Sequence, residues 1–212
     1  AYVDMTLDCQ KRFGIRIGDK EKGWIIPGNQ TYRAPSSFSV EGDWSNGAFW
    51  LAASALGSEV EVLGLSEESL QADRRIRTIL DRGETDTDVR EIPDLVPILA
   101  VLACGKKKTT VLRNCGRLRL KESDRIASVK AMIRSLGGRI RSDGNDLIID
   151  GTGSLAGGTV DSFGDHRIVM ASAIAATICR ESVMIREAQA VSKSYPDFFT
   201  DYNTLGGNAH VI

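Results

Sequence analysis

Residues 94–150 read DLVPILAVLACGKKKTTVLRNCGRLRLKESDRIASVKAMIRSLGGRIRSDGNDLIID, and this stretch decides the fold. An acidic residue, Asp94, opens an apolar helix-like run over 95–104; a charged turn follows, and TTVLRN supplies a β-branched strand. A second helix comes next. Ile126, Val129, Ile133 and Leu136 recur at helical spacing, Ser123 can cap the start and Gly137-Gly138 can close the end. RIRSDGNDLIID then reads as a hairpin with Asp143-Gly144 in its turn.

The same order occurs on either side of this stretch. Upstream, Asp43 leads into AFWLAASAL, the strand EVEVLG (59–64) and a helix within SEESLQADRRIRTILDRG (66–83). Downstream, Asp165 leads into IVMASAIAATIC, the strand SVMIRE (182–187) and a helix within YPDFFTDYNTLGG (195–207). A supersecondary unit repeated three times dictates the architecture, and these units alternate strand and helix, which is an α/β class. The first copy is shorter than the middle one. Eleven positions separate Gly83 from Asp94, against 28 between Gly137 and Asp165, so about one hairpin is lacking near residues 82–90. Residues 1–33 differ again, with a helix near 5–13, a strand pair around 16–26 and a turn at Pro27-Gly28; they read as the tail of a preceding domain.

Composition bounds the function. At 212 residues, 42% hydrophobic and 26% charged, the chain can bury one large core or two small ones. Its net charge of -1 removes a chain-wide electrostatic argument for binding nucleic acid or a membrane surface. The longest strongly apolar run, residues 95–104, is half of what a spanning helix needs. The four cysteines show no C-x-x-C spacing, so a structural metal is not expected and the thiols read as reduced and intracellular. The chain opens at Ala1-Tyr2 with no signal or transit pattern, and reads as a fragment.

Ionic residues are densest at 117–125, where RLRL alternates as a strand would and runs into a helix start. Unsatisfied backbone N–H groups there, together with Lys121 and Arg125, suit a phosphate or carboxylate. Spacing leaves a second reading open: a solvated turn with an intrahelical Glu122–Arg125 pair. Asp165-His166-Arg167 has a similar ambiguity, with Asp165 a helix cap and His166 a packed residue in the plainer reading. Lys193 is a surface charge or an anion ligand, and Asp94 an N-cap or a carboxylate with work to do. The repeat favours the functional readings. Asp43, Asp94 and Asp165 start equivalent helices, and Lys121 and Lys193 precede equivalent second helices, so units packed side by side bring these starts to one face. Several cations with two carboxylates suit a small polyanionic substrate whose reaction needs proton transfer.

LRLKESDRI, GDHRIVMA and SKSYPDFF, with VEGDWSNGAF and the isolated IPD, resemble the 5-enolpyruvylshikimate-3-phosphate synthase family, in order and over nearly the whole chain. The resemblance implies a two-domain enolpyruvyl transferase fold, an inside-out α/β barrel in which each domain holds three βαβαββ units. Residues 34–212 would be most of the second domain. It implies transfer of the enolpyruvyl group of phosphoenolpyruvate to the 5-hydroxyl of shikimate 3-phosphate, releasing phosphate, in the cytoplasm and with no metal or organic cofactor. By the same resemblance Asp94 accepts the hydroxyl proton and Glu122 handles the proton at the methylene carbon. Lys121 contacts shikimate 3-phosphate, Arg125 and Arg167 hold the phosphoenolpyruvate carboxylate, and Lys193 neutralises its phosphate. Tyr2 matches a substrate-side position, while Asp165 and His166 orient Arg167 and line the pocket.

The departures are equally informative. The first domain's basic residues and phosphate cradle are absent, so the chain carries about half of the site, requires an N-terminal domain as partner and is expected to be inactive alone. Arg117 stands where some members have Asn. The related UDP-N-acetylglucosamine enolpyruvyl transferase and a non-catalytic anion-binding domain of the same fold are the alternatives, with Lys106, Lys107 and Lys108 as a contact patch in the latter.

Overall fold

The computed structural model describes residues 2–212. Three apolar helices, α2 (Trp44–Ala55), α4 (Val96–Gly105) and α6 (His166–Ala176), pack against one another at the centre. A helix that is apolar all round has no face to offer water, and nine residues of α4, Val96 to Cys104 in sequence, are all buried. The second helices, α3 (Arg75–Arg82), α5 (Arg125–Ser135) and α7 (Phe198–Thr204), follow each of these in turn. Helix α1 (Tyr2–Arg12) buries none of its residues, and β1 (Gly18–Lys20) pairs with β2 (Gly23–Ile25) in a separate hairpin.

The middle unit builds a four-stranded sheet from β3 (Asp86–Asp88), β4 (Thr109–Arg113), β5 (Arg139–Asp143) and β6 (Asp146–Asp150), in the order β3-β4-β6-β5. Strand β3 lies parallel to β4, and β6 runs antiparallel to both β4 and β5. The inward residues Leu112, Leu147 and Ile149 close the core beneath it. In the last unit β7 (Gly158–Asp161) pairs in parallel with β8 (Val183–Arg186). This is α/β architecture with helices inside and sheets outside.

The first unit departs from expectation: residues 59–64 form no strand and no ladder, and Gly64 bends at φ 79°. Gly64 at their end lies against Gly42, so close that a Cβ on Gly42 would lie 2.6 Å from the Gly64 carbonyl oxygen. Residues 83–85 alone join α3 to β3, so no hairpin reaches this edge. Val40 and Leu63 consequently stand 83% and 79% exposed.

Three local expectations also change. The RLRL segment is not a strand but part of a 3₁₀ turn, Cys115–Leu120, entered through Asn114 at φ 62°. In a strand Leu118 and Leu120 would share a face; here Leu118 is fully buried and Leu120 is 88% exposed. Asp124, not Ser123, caps α5, accepting from the amides of Ile126 and Ala127. The first-unit second helix starts only at a 3₁₀ turn, Ala72–Arg74, because the preceding chain is pinned. Trp44 Nε1 donates to the Ser66 carbonyl, and the Gln71 amide bridges Trp44 N and Gly42 O.

Candidate active site

The starts of the middle and last units' helices meet around one guanidinium. Arg125, the first residue of α5, has a side chain 0% exposed, an unusual place for a cation unless it is fully paired. Its Nε donates to Asp165 Oδ2 at 2.7 Å and its Nη2 to Asp165 Oδ1 at 3.2 Å. Nη1 donates to Asp94 at 2.5 Å, and Nη2 also to Glu122 at 2.6 Å. Three carboxylates from three separate stretches thus converge on it, and although burial disfavours its charge they raise its pKa overall.

Asp165 caps α6, accepting from the Arg167 amide at 3.0 Å, and takes a further bond from Ser123 Oγ at 3.1 Å. The cap holds the start of the helix against Arg125, which links the last unit to the middle one. Asp94 lies in the 3₁₀ turn Pro93–Leu95 and does not cap α4; its carboxylate points into the cluster instead. Lys121 Nζ is 3.2 Å from it, Arg167 Nη2 3.5 Å, and the Tyr2 hydroxyl donates to it at 3.1 Å. Burial pushes the Asp94 carboxyl up, but Arg167, Arg125 and Lys121 together outweigh it and hold the group at about 2. The Tyr2 hydroxyl is driven up by burial and then by Asp94, so it stays a proton donor, with Lys121 Nζ 5.9 Å from the centre of its ring.

Glu122 bridges to the last unit. Lys193, ending the 3₁₀ turn Ala188–Lys193, donates to it at 2.8 Å. Burial raises its carboxyl, while the Lys193 bond, its own backbone and Arg125 lower it to about 2. His166 is buried, and burial, then Arg167, lowers its pKa, which favours the neutral ring. Among the described residues two buried nitrogens here have no hydrogen-bond partner: His166 Nδ1 and Arg167 Nη1. An orphaned guanidinium nitrogen beside Asp94 is a ready donor for an incoming anion.

The structure therefore brings together Tyr2, Asp94, Lys121, Glu122, Arg125, Asp165, His166, Arg167 and Lys193. Both plain readings also hold in part: Asp165 is a cap, and Glu122 and Arg125 do pair three residues apart, though around a buried guanidinium rather than a solvated one. Sequence reasoning missed Ser123 as a ligand of Asp165, and missed Asp73 and Ser45 of the first unit, which bond each other at 2.5 Å. The repeat held the signal for Asp73, an acid at the start of a second helix. Among the described residues no group of His, Cys, Asp and Glu could hold a metal ion, and no helix is long and apolar enough to cross a membrane.

Central apolar helices flanked by small mixed sheets, with acids at the helix starts, define an enolpyruvyl transferase fold. An enolpyruvyl transferase from Streptomyces tendae, NikO, superposes with a TM-score of 0.68 at 18% identity, over 97% of this chain and 53% of that one. An EPSP synthase from Acinetobacter baumannii superposes with a TM-score of 0.81 at 22% identity, over 93% of this chain and 53% of that one. The family model for EPSP synthase (3-phosphoshikimate 1-carboxyvinyltransferase) matches residues 1–202, and the chain belongs to that family. A 3-phosphoshikimate 1-carboxyvinyltransferase of Clostridium acetobutylicum is 42% identical over 227 residues, covering 99% of this chain and 53% of the relative. One from Clostridium botulinum is 40% identical over 231 residues, again with 99% and 53% covered. The chain spans about half the length of these relatives, and the matched stretches exceed its own 212 residues, so the relatives carry segments it lacks.

Proposed function

We propose that this chain supplies the C-terminal half of an active site that moves the enolpyruvyl group of phosphoenolpyruvate to the 5-hydroxyl of shikimate 3-phosphate. The observation that carries this reading is the Arg125 network, which gathers three acids and further cations from separate units. Residues 1–33 belong with an N-terminal domain that completes the cleft, residues 34–212 forming the C-terminal domain. The unburied helix α1 and the exposed Trp24, Ile25 and Ile26 support a missing neighbour on that side. The setting is cytoplasmic, and neither a metal nor an organic cofactor takes part.

The reaction adds the hydroxyl oxygen to C2 of phosphoenolpyruvate while C3 gains a proton. The tetrahedral adduct then loses that C3 proton as its bond to the phosphate oxygen breaks, restoring the double bond and releasing phosphate. Asp94, ionised and bonded by Tyr2, takes the hydroxyl proton, and Lys121 beside it binds shikimate 3-phosphate. Glu122 gives and then reclaims the C3 proton, which needs it protonated. Its two cations oppose that in the unloaded cleft. Arg167 and Arg125 receive the donor's carboxylate and Lys193 its phosphate, so the donor draws away the cations that keep Glu122 ionised. Loading the cleft thereby arms the acid. Asp165 and neutral His166 hold Arg167 and the wall around it.

The test fuses this chain behind the N-terminal half of the C. acetobutylicum relative and follows phosphate release. The chain alone should release none, and the fusion should turn over. Glu122→Gln in the fusion should lower kcat by about a hundredfold or more with little change in KM. Near-normal turnover in that variant, or full turnover by the chain alone, contradicts the reading.

A further inference from the structure

Asp73 sits at the start of the first unit's second helix, is buried, and accepts a bond from Ser45 Oγ at 2.5 Å. Its other oxygen, Oδ1, is buried without a partner, and among the described residues no cation is bonded to it. The site's other acids differ in this respect: Asp165 holds Arg125, Asp94 holds Arg125, Lys121 and Arg167, and Glu122 holds Arg125 and Lys193. Helix α2 packs against both the Ala72–Arg74 turn that carries Asp73 and the Pro93–Leu95 turn that carries Asp94, so the two acids flank the same helix and Asp73 feels the site. Asp94 on its 3₁₀ turn and Asp43, the N-cap of α2, disfavour its charge, Arg167 on α6 favours it, and Asp73 in turn raises Tyr2 of α1. Two arginines of α3 pair elsewhere, Arg75 with Glu84 and Arg77 with Glu67.

A buried carboxylate without a counter-ion costs folding free energy, and an amide would keep the Ser45 bond without that cost. An acid in such a place points to a use for its charge. We propose that Asp73 is a positioning residue of this site, whose uncompensated negative charge offsets the three cations gathered on Asp94 and keeps that carboxylate basic enough to take a proton. The proposal rests on the reading of Asp94 given above. Coupling between two carboxyls is mutual, so the repulsion that raises Asp73 also raises Asp94. Burial first, then Asp94 and Asp43, push Asp73 up to about 6 despite the Ser45 bond and Arg167, so its charge is present at neutral pH and above.

Two measurements test this. On this chain alone, Asp73→Asn should raise Tm at pH 8 and leave it nearly unchanged near pH 3, where the acid is mostly protonated in both folded and unfolded states. In the active fusion, Asp73→Asn should move the acid limb of kcat/KM to lower pH and drop the plateau by about threefold or more, since a weaker base transfers a proton less readily. Ser45→Ala removes a bond that favours Asp73's charge, so it should show the loss near pH 6.5 and recover by pH 9. An Asp73→Asn variant less stable at every pH, or one whose limb stays in place while the parent turns over, overturns the proposal and leaves the functional reading standing. A folded parent fusion without turnover removes both.

Discussion

The first and middle units share an order of elements and solve opposite problems at their helix starts. The middle unit closes its sheet with the β5–β6 hairpin and closes its charges around Arg125. The first has no hairpin, leaves residues 59–64 without a ladder, and buries in Asp73 a carboxylate to which, among the described residues, no cation is bonded. A repeated sequence pattern therefore specifies helices more firmly than sheets. A helix makes its hydrogen bonds internally and needs only a buried stripe, whereas a strand needs a neighbour at the correct register.

The largest contrast should appear when one arginine is removed from each unit. Arg125→Ala leaves Asp94 and Asp165 facing one another without their shared cation, and should cost about 3–5 kcal/mol in urea unfolding. Arg75→Ala, in the matching helix of the first unit, removes an exposed side chain 3.4 Å from Glu84 and should change stability by less than about 0.5 kcal/mol. Comparable losses in the two variants would mean that the Arg125 network is no more than another surface pair.

The pH dependence should divide along the same line. Asp94 is held at about 2 against an ordinary 3.8, so the stability it contributes is present above about pH 4 and lost as pH falls toward 2, about 2 kcal/mol in all. Asp73 is raised to about 6 from 3.8, so its effect runs the other way: the fold is relieved of roughly 3 kcal/mol as pH falls from above 6 to below 4. Unfolding midpoints should therefore rise between pH 8 and 4 and fall between pH 4 and 2. Asp73→Asn should flatten the first arm, and Asp94→Asn the second. A parent curve level from pH 8 to 4 would break the contrast.

Hydrogen exchange reads the sheets directly. Amides of β4 and β6, paired from Thr109↔Asp150 to Leu112↔Leu147, should be protected to near the global unfolding free energy. Amides of residues 59–63 should exchange as open chain. Protection there equal to that of β4 would show that the first unit closes its sheet after all.

How much of this could be read in advance follows from the same physics. The three core helices are plain in the sequence, since each follows an acid and is rich in small and apolar residues, and Asp43 and Asp165 do cap theirs. The site was legible through the motifs around Lys121, Arg167 and Lys193 and through the repeat that predicted a shared face. Less legible was anything set by a distant partner. The Arg117–Leu120 alternation mimics a strand, yet the chain turns at Asn114, whose amide is held by Asp146 on β6. The segment 59–64 has good strand composition but pairs with no strand. Asp73 carries no motif of its own, because its meaning depends on Asp94, which only tertiary folding brings near.

The smallest expected effect is also the one that separates the site's electrostatics from its stability. Lys193 is 56% exposed and Glu122 27%, so their 2.8 Å pair is well solvated and Lys193→Ala should lower stability by less than about 1 kcal/mol. That substitution also removes the first of the influences holding Glu122 down, so the Glu122 carboxyl should move from about 2 toward its ordinary 4.5, which carbon-13 titration of the side chain can follow. Arg125 still bonds Glu122 at 2.6 Å, so the shift should stop short of 4.5. A full return would mean that Arg125 contributes nothing to Glu122. No movement would mean that Lys193 does not hold Glu122, and donor binding at Lys193 could not then release the acid for the methylene carbon.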